Sequence, residues 1–179
     1  MLDNTSKTFN LNGIKLKTLT EDDLETLRNW RNDPQISQFM NTNEHITKEM
    51  QIKWFSKVLA SKDNQYFVIY QENTPAGVVN FINYDKETKS AEAAIYLDPK
   101  LQNSTLGIAS NISFIEICFD KFGITTLNAE VLAHNKRALR FNLSLGYKIT
   151  KTTEDKKFLA LTKPSFLEST KKFKAFLNM

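Results

Sequence analysis

Gln102-Asn103-Ser104-Thr105-Leu106-Gly107-Ile108-Ala109 is the stretch on which the reading of this chain turns. It joins small polar donors to one glycine and one alanine. It leads into an apolar helix expected over residues 109–122, with Ile112, Ile115, Ile117, Cys118 and Phe119 on it. The first backbone N–H groups of a helix lack intrahelical acceptors, and the dipole adds positive potential there, so such a loop suits an anion. Upstream, the pattern predicts a meander. Residues 66–70 and 78–84 are β-branched and aromatic runs around the turn Asn73-Thr74-Pro75-Ala76-Gly77, and residues 91–97 return after a polar turn. Downstream, a strand over 127–132 precedes a helix over 135–145 that Gly146 stops, and residues 147–150 and 158–162 form a hairpin.

The N-terminal part supplies one more strand and two helices. Residues 14–19 alternate as in a half-buried strand, and Thr20-Glu21-Asp22-Asp23 caps a helix with acidic side chains at its positive end. Asn32-Asp33-Pro34 stops that helix, and a second follows Thr47 to about residue 60, with Met50, Trp54, Phe55, Val58 and Leu59 in one stripe. The class is α/β (α+β), with a mixed, mostly antiparallel central sheet of about seven strands flanked by helices. With 179 residues, no repeat and no linker, these elements are expected to share one core in a single domain over 1–179, carrying a C-terminal extension at about 165–179. Phe166, Leu167, Phe176 and Leu177, with Lys171-Lys172-Phe173-Lys174, read as a short amphipathic helix there. It docks on the body or on a second subunit in a homodimer.

Composition removes several classes. The lone Cys118 has no partner for a disulfide and reads as core packing, and no cysteine–histidine cluster has metal-ligand spacing, so no metal is expected. The net charge of +4 is mild and the lysines are scattered, which argues against nucleic acid. No run is long and apolar enough to span a membrane, and Met1 to Lys7 lack the basic start and apolar stretch of a secretion signal. A cytoplasmic location is expected.

In this order the elements resemble the GNAT superfamily of acetyl-CoA-dependent N-acetyltransferases. Gly107-Ile108-Ala109 matches the second half of the family's Gln/Arg-x-x-Gly-x-Gly/Ala pyrophosphate loop. Asn135-Lys136-Arg137-Ala138-Leu139 looks like its Asn-x-x-Ala helix start, and Leu145-Gly146-Tyr147 is similar to its Leu-Gly-Phe/Tyr ending. The resemblance implies a GNAT fold with acetyl-CoA as cosubstrate. By the same resemblance, the backbone of Tyr96 and Leu97 would splay from the next strand and hold pantetheine, residues Gln102, Asn103, Ser104, Thr105, Leu106, Gly107, Ile108 and Ala109 would hold the pyrophosphate, and Asn135 would bond pantetheine.

A narrower resemblance lies in Trp30-Arg31-Asn32-Asp33-Pro34-Gln35-Ile36-Ser37-Gln38-Phe39-Met40, which is similar to the nucleotide-sugar N-acetyltransferases of pseudaminic acid biosynthesis. It implies as acceptor the 4-amino group of a UDP-linked dideoxy amino sugar, with Trp30, Arg31, Asn32, Phe39, Met40 and Glu92 at the substrate; a protein N-terminus or another small amine, or a non-catalytic CoA-binding module, are the alternatives. Acetyl transfer by direct attack needs a neutral amine, a polarised carbonyl and a route for the proton. Glu130, on a central strand where a carboxylate is costly without a function or a partner, is the preferred base, ahead of Glu92 and His134. Two departures stand out. Register puts Ser104 where many members carry Gln or Arg, and Asn142 where a tyrosine often protonates the departing thiolate. An amide is a poor acid at neutral pH, so water would serve that thiolate.

Overall fold

The computed structural model describes residues 7–42, 44–102 and 104–179. Eight strands form one sheet in the order β1-β2-β3-β4-β5-β6-β8-β7. They are β1 (Thr8–Leu11), β2 (Ile14–Thr18), β3 (Gln65–Gln71), β4 (Thr74–Asp85), β5 (Ser90–Leu97), β6 (Thr126–Leu132), β7 (Lys148–Thr152) and β8 (Lys156–Thr162). Neighbours pair antiparallel except β5 with β6, which are parallel. The helices are α1 (Leu24–Asn32), α2 (Pro34–Ser37), α3 (Lys48–Ala60), α4 (Leu106–Lys121), α5 (Lys136–Ser144) and α6 (Lys163–Leu177).

The strand beyond the expected seven is β1. Asn12 and Gly13 link it to β2 with φ of 55° and 75°, the two positive angles of a two-residue hairpin turn. That Asn-Gly pair was the available sequence signal. The short α2 is also additional, and Asp33 caps it by accepting from the Gln35 N–H at 2.8 Å. Helix α4 starts three residues before the expected position, so Leu106 and Gly107 belong to its first turn.

Strand alternation divides the core in two. Leu16, Phe67, Val79, Phe81, Leu127 and Leu159 face α4 and α6, with Phe114, Ile115 and Phe166 among the buried partners. On the other face Val68 and Val78 meet Leu24, Leu27, Trp30, Ile36 and Phe55 from α1, α2 and α3. At the start of this second layer, Asp23 accepts from the Thr20 N–H at 2.9 Å, the Thr20 hydroxyl at 2.8 Å and the Tyr70 hydroxyl at 3.1 Å. Burial and the Asp23 charge push the Tyr70 phenol up to about 12.

The C-terminal helix docks on the body. Phe166 is fully buried against Phe119, with ring centroids 5.8 Å apart. Gly146 explains the Leu-Gly-Tyr sequence physically. Its φ is +98°, and a Cβ there would lie 2.6 Å from the Ser165 carbonyl oxygen, so only glycine lets α6 start so close. The Ser165 hydroxyl closes the contact by donating to the Gly146 carbonyl at 2.7 Å.

No helix among the described residues is long and apolar enough to cross a membrane, and no group of three or more metal-ligating side chains occurs among them. The expectation about the leader rests on Met1 to Lys7, of which Met1 to Ser6 lie outside the described residues. Phe166→Ala is expected to lower the unfolding free energy by about 3–5 kcal/mol in urea titration, as for other buried phenylalanine truncations. A loss under about 1 kcal/mol would show that α6 is not part of the cooperative core.

Candidate active site

The site is made by two strands that part. The parallel pairing of β5 with β6 covers Ser90↔Thr126, Ala91↔Leu127 and Glu92↔Asn128, then ends. Beyond it β5 stays with β4 as far as Gly77↔Leu97, while β6 stays with β8 as far as Leu132↔Lys156. Gly77 makes the first of these possible, since a Cβ there would come within 2.6 Å of the Tyr96 carbonyl oxygen. Residues 93–97 therefore turn an unpaired backbone edge toward residues 129–132. A cleft of about 660 Å³ opens between them. Its wall continues onto Gly107, Ile108 and Asn111 of α4 and Ala138, Phe141 and Asn142 of α5.

The cleft gathers most of the candidate residues. Tyr96, Leu97, Gln102, Ser104, Gly107, Ile108, Asn135, Glu92, Glu130, Asn142, Phe39 and Met40 all line it. Asn103 lies outside the described residues. Thr105, Leu106 and Ala109 belong to the α4 start without lining the cleft, and Thr105 instead accepts at its carbonyl from the N–H groups of Ile108 and Ala109. Asn135, on the cleft wall, caps α5 by accepting from the Ala138 N–H at 3.0 Å.

Four candidates sit elsewhere. Trp30 is 7% exposed, packed with Leu27 and Ile36 and edge-on to Tyr96 at 6.5 Å, so it backs a cleft residue instead of lining the cleft. Asn32 clamps the next loop, accepting from the Ile46 N–H at 2.8 Å and donating to its carbonyl at 2.9 Å. His134 is exposed outside the cleft, stacked on Phe39 with centroids 6.0 Å apart, and its Nε2 is 3.3 Å from the Gln38 carbonyl oxygen. Arg31 also lies off the cleft wall, near enough to the Tyr66 and Tyr96 hydroxyls to oppose the upward push of burial on both phenols.

Glu92 and Glu130 project from the same face of adjacent strands, beside the point where pairing ends. Their surroundings differ. Glu130 Oε1 takes an ion pair from Lys156 Nζ at 2.5 Å. Glu92 has no ion-pair partner among the described residues, and the nearby Asn83 side chain only partly offsets the effect of its surroundings. Burial and the negative charge of Glu130 raise the Glu92 carboxyl above its ordinary value. Cys118, by contrast, is wholly buried with its thiol pushed far up, and acts in packing.

The model of the acetyltransferase (GNAT) domain matches residues 14–148. The chain belongs to the GNAT acetyltransferase family. It is 33% identical over 130 residues to acetyltransferase PseH of Campylobacter jejuni, covering 71% of this chain and 80% of that protein. The crystal structure of C. jejuni PseH in complex with acetyl coenzyme A superposes with a TM-score of 0.67 at 25% identity, covering 84% of this chain and 99% of that one. The fold is shared more widely. FdhC, a nucleotide-linked sugar GNAT, has a TM-score of 0.79 at 19% identity over 96% of this chain and 99% of its own.

As a GNAT enzyme the chain uses acetyl-CoA as cosubstrate, and the cleft fits it. The unpaired edge of residues 93–97 supplies backbone donors and acceptors for the pantetheine amides, and the free N–H groups in the first turn of α4 suit a pyrophosphate. Sequence reasoning had not singled out Asn111, Phe141, Tyr147 or Arg137 as cleft residues. Asn111 and Phe141 carried no signal apart from helical spacing from Gly107 and Ala138.

The raised Glu92 carboxyl has a sign that can be tested without substrate. Protonation is easier in the folded state than in the unfolded one, so ionised Glu92 lowers stability as pH rises through its folded value. Glu92→Gln is expected to melt higher than the wild type at pH 7.5, with the difference fading below about pH 4 where both states are protonated. Equal melting temperatures at pH 7.5 would show that Glu92 is not under that pressure.

Proposed function

We propose that this enzyme acetylates the 4-amino group of a UDP-linked dideoxy amino sugar in pseudaminic acid biosynthesis, in the cytoplasm. The observation that carries this reading is the carboxylate pair Glu92 and Glu130 in the cleft, beneath a wall that includes Phe39 and Met40. An amino sugar arrives as an ammonium ion, and one ionised carboxylate beyond the number neutralised by Lys156 attracts it. Kinship with PseH and the sequence of residues 30–40 support the sugar as acceptor.

The chemistry follows from these side chains. Glu130 is tied to Lys156 at 2.5 Å, which leaves Glu92 as the pair's free acceptor for the ammonium proton, directly or through water. The neutral amine nitrogen then attacks the thioester carbonyl carbon. A C–N bond forms and the C–S bond breaks, while backbone N–H groups at the end of β5 face the carbonyl oxygen. The attacking nitrogen sheds its second proton to water as the adduct collapses, and the departing thiolate takes a proton from water in turn, because Asn142 offers only an amide there. Phe39, Met40 and Tyr96 give this end of the cleft apolar walls for a deoxygenated sugar ring.

An acceptor screen that detects CoA thiol release tests the reading. Turnover is expected with UDP-linked 4-amino-4,6-dideoxy sugars and not with peptides or polyamines. Activity on peptides alone would reverse the acceptor, and CoA binding without turnover on any amine would make the chain a binding module. Asn142→Tyr is expected to change kcat less than about tenfold, since a general acid at a limiting step is worth about 100-fold or more. A 100-fold gain would show that thiolate protonation limits the native enzyme.

A further inference from the structure

The loop over residues 102–109 lacks any basic side chain, and the serine that stands in the family's Gln/Arg position cannot substitute for one. The Ser104 hydroxyl donates to the Leu101 carbonyl at 2.6 Å, back into its own turn. A polyanionic cosubstrate therefore meets backbone donors here and no charge from the loop. We propose that Arg137, from the neighbouring helix α5, supplies that charge and binds the pyrophosphate of acetyl-CoA.

Three observations carry this assignment. Arg137 is the one cationic side chain among the described residues that line the cleft, and it shares the wall with Gln102, Ser104 and Gly107. Its guanidinium already reaches across to the loop, donating through Nη2 to the Gln102 carbonyl, and no carboxylate pairs with it among the described residues. It also sits where a helix disfavours it. Lys136 and Arg137 open α5 with no acidic residue in that first turn, so positive side chains stand at the positive end of the dipole. Helix stability does not account for a cation at that place, whereas an anion at the start of α4 would be held by that helix end and by the guanidinium fork reaching over from α5.

The cleft is thereby polarised. Arg137 marks the phosphate end, and Glu92 and Glu130 mark the end where the amine is received. When phosphate binds, the guanidinium exchanges the Gln102 carbonyl oxygen for phosphoryl oxygens. Lys136 and Arg140 are exposed and do not line the cleft, which makes Arg140 a suitable charge control.

Calorimetric titration of CoA, 3′-dephospho-CoA and the phosphate-free S-acetylpantetheine, the last followed by ligand-observed NMR, tests the proposal. Arg137→Gln is expected to weaken CoA and dephospho-CoA by the same factor, about 10- to 100-fold, and to leave S-acetylpantetheine unchanged. Arg137→Lys should recover only part of the loss, since an ammonium cannot make the bidentate contact. Arg140→Gln should bind like the wild type, and all variants should melt at or above the wild-type temperature without ligand. Unchanged CoA affinity in Arg137→Gln would overturn the proposal. So would a loss that disappears with dephospho-CoA, which would place Arg137 at the 3′-phosphate, or an equal loss with S-acetylpantetheine, which would make its role structural.

Discussion

Backbone hydrogen bonding between β5 and β6 stops after Glu92↔Asn128, and the rest of the molecule is arranged around that interruption. An unpaired N–H or C=O shielded from water costs about 1–3 kcal/mol, so a gap inside a sheet persists only where solvent or a ligand fills it. Each strand keeps its outer neighbour, β4 and β8, which holds the gap at a set width. Helices α4 and α5 follow the C-terminal ends of the parallel strands β5 and β6, so both helix starts lie at the edge where the gap opens and line it.

Charge is then distributed along the gap with opposite signs at its two ends. The acidic end lies where the strands begin to part, and Lys156 reduces it to one excess negative charge. That residue is far away in sequence, on β8, and its pairing with Glu130 separates two carboxylates that look alike along the chain. An acetyl donor carrying phosphates and an acceptor carrying an ammonium ion are drawn to different ends by elementary electrostatics. The wall between them is mostly apolar, which keeps water low where the carbonyl reacts.

Much of the architecture was legible because periodicity reports burial. The meander, the strand–helix unit, and the stripes of α1 and α3 follow from apolar spacing, and the glycine loop with Leu145-Gly146-Tyr147 located the cleft. What escaped was of two kinds. Strand β1 is short and half exposed, so its alternation is weak beside the turn signal of Asn12-Gly13. Trp30, Asn32 and His134 have residue types suited to a site, but the chain spends them on a core contact, a loop clamp and a surface stack. Asn111 and Arg137 stand in the cleft on faces that helical spacing alone does not distinguish from solvent.

By itself the sequence determined most of the order of strands and helices, the glycines that end a turn or a helix, and the family to which the chain belongs. These depend on local conformational preference and on the alternation of apolar residues, both properties of neighbouring positions. Only the tertiary structure decided which of two carboxylates is free and which cation faces the phosphate loop. Those outcomes depend on groups brought together from β5, β6, β8 and α5, where the distance between charges and their burial sets the chemistry, and neither quantity is encoded in any single stretch of chain.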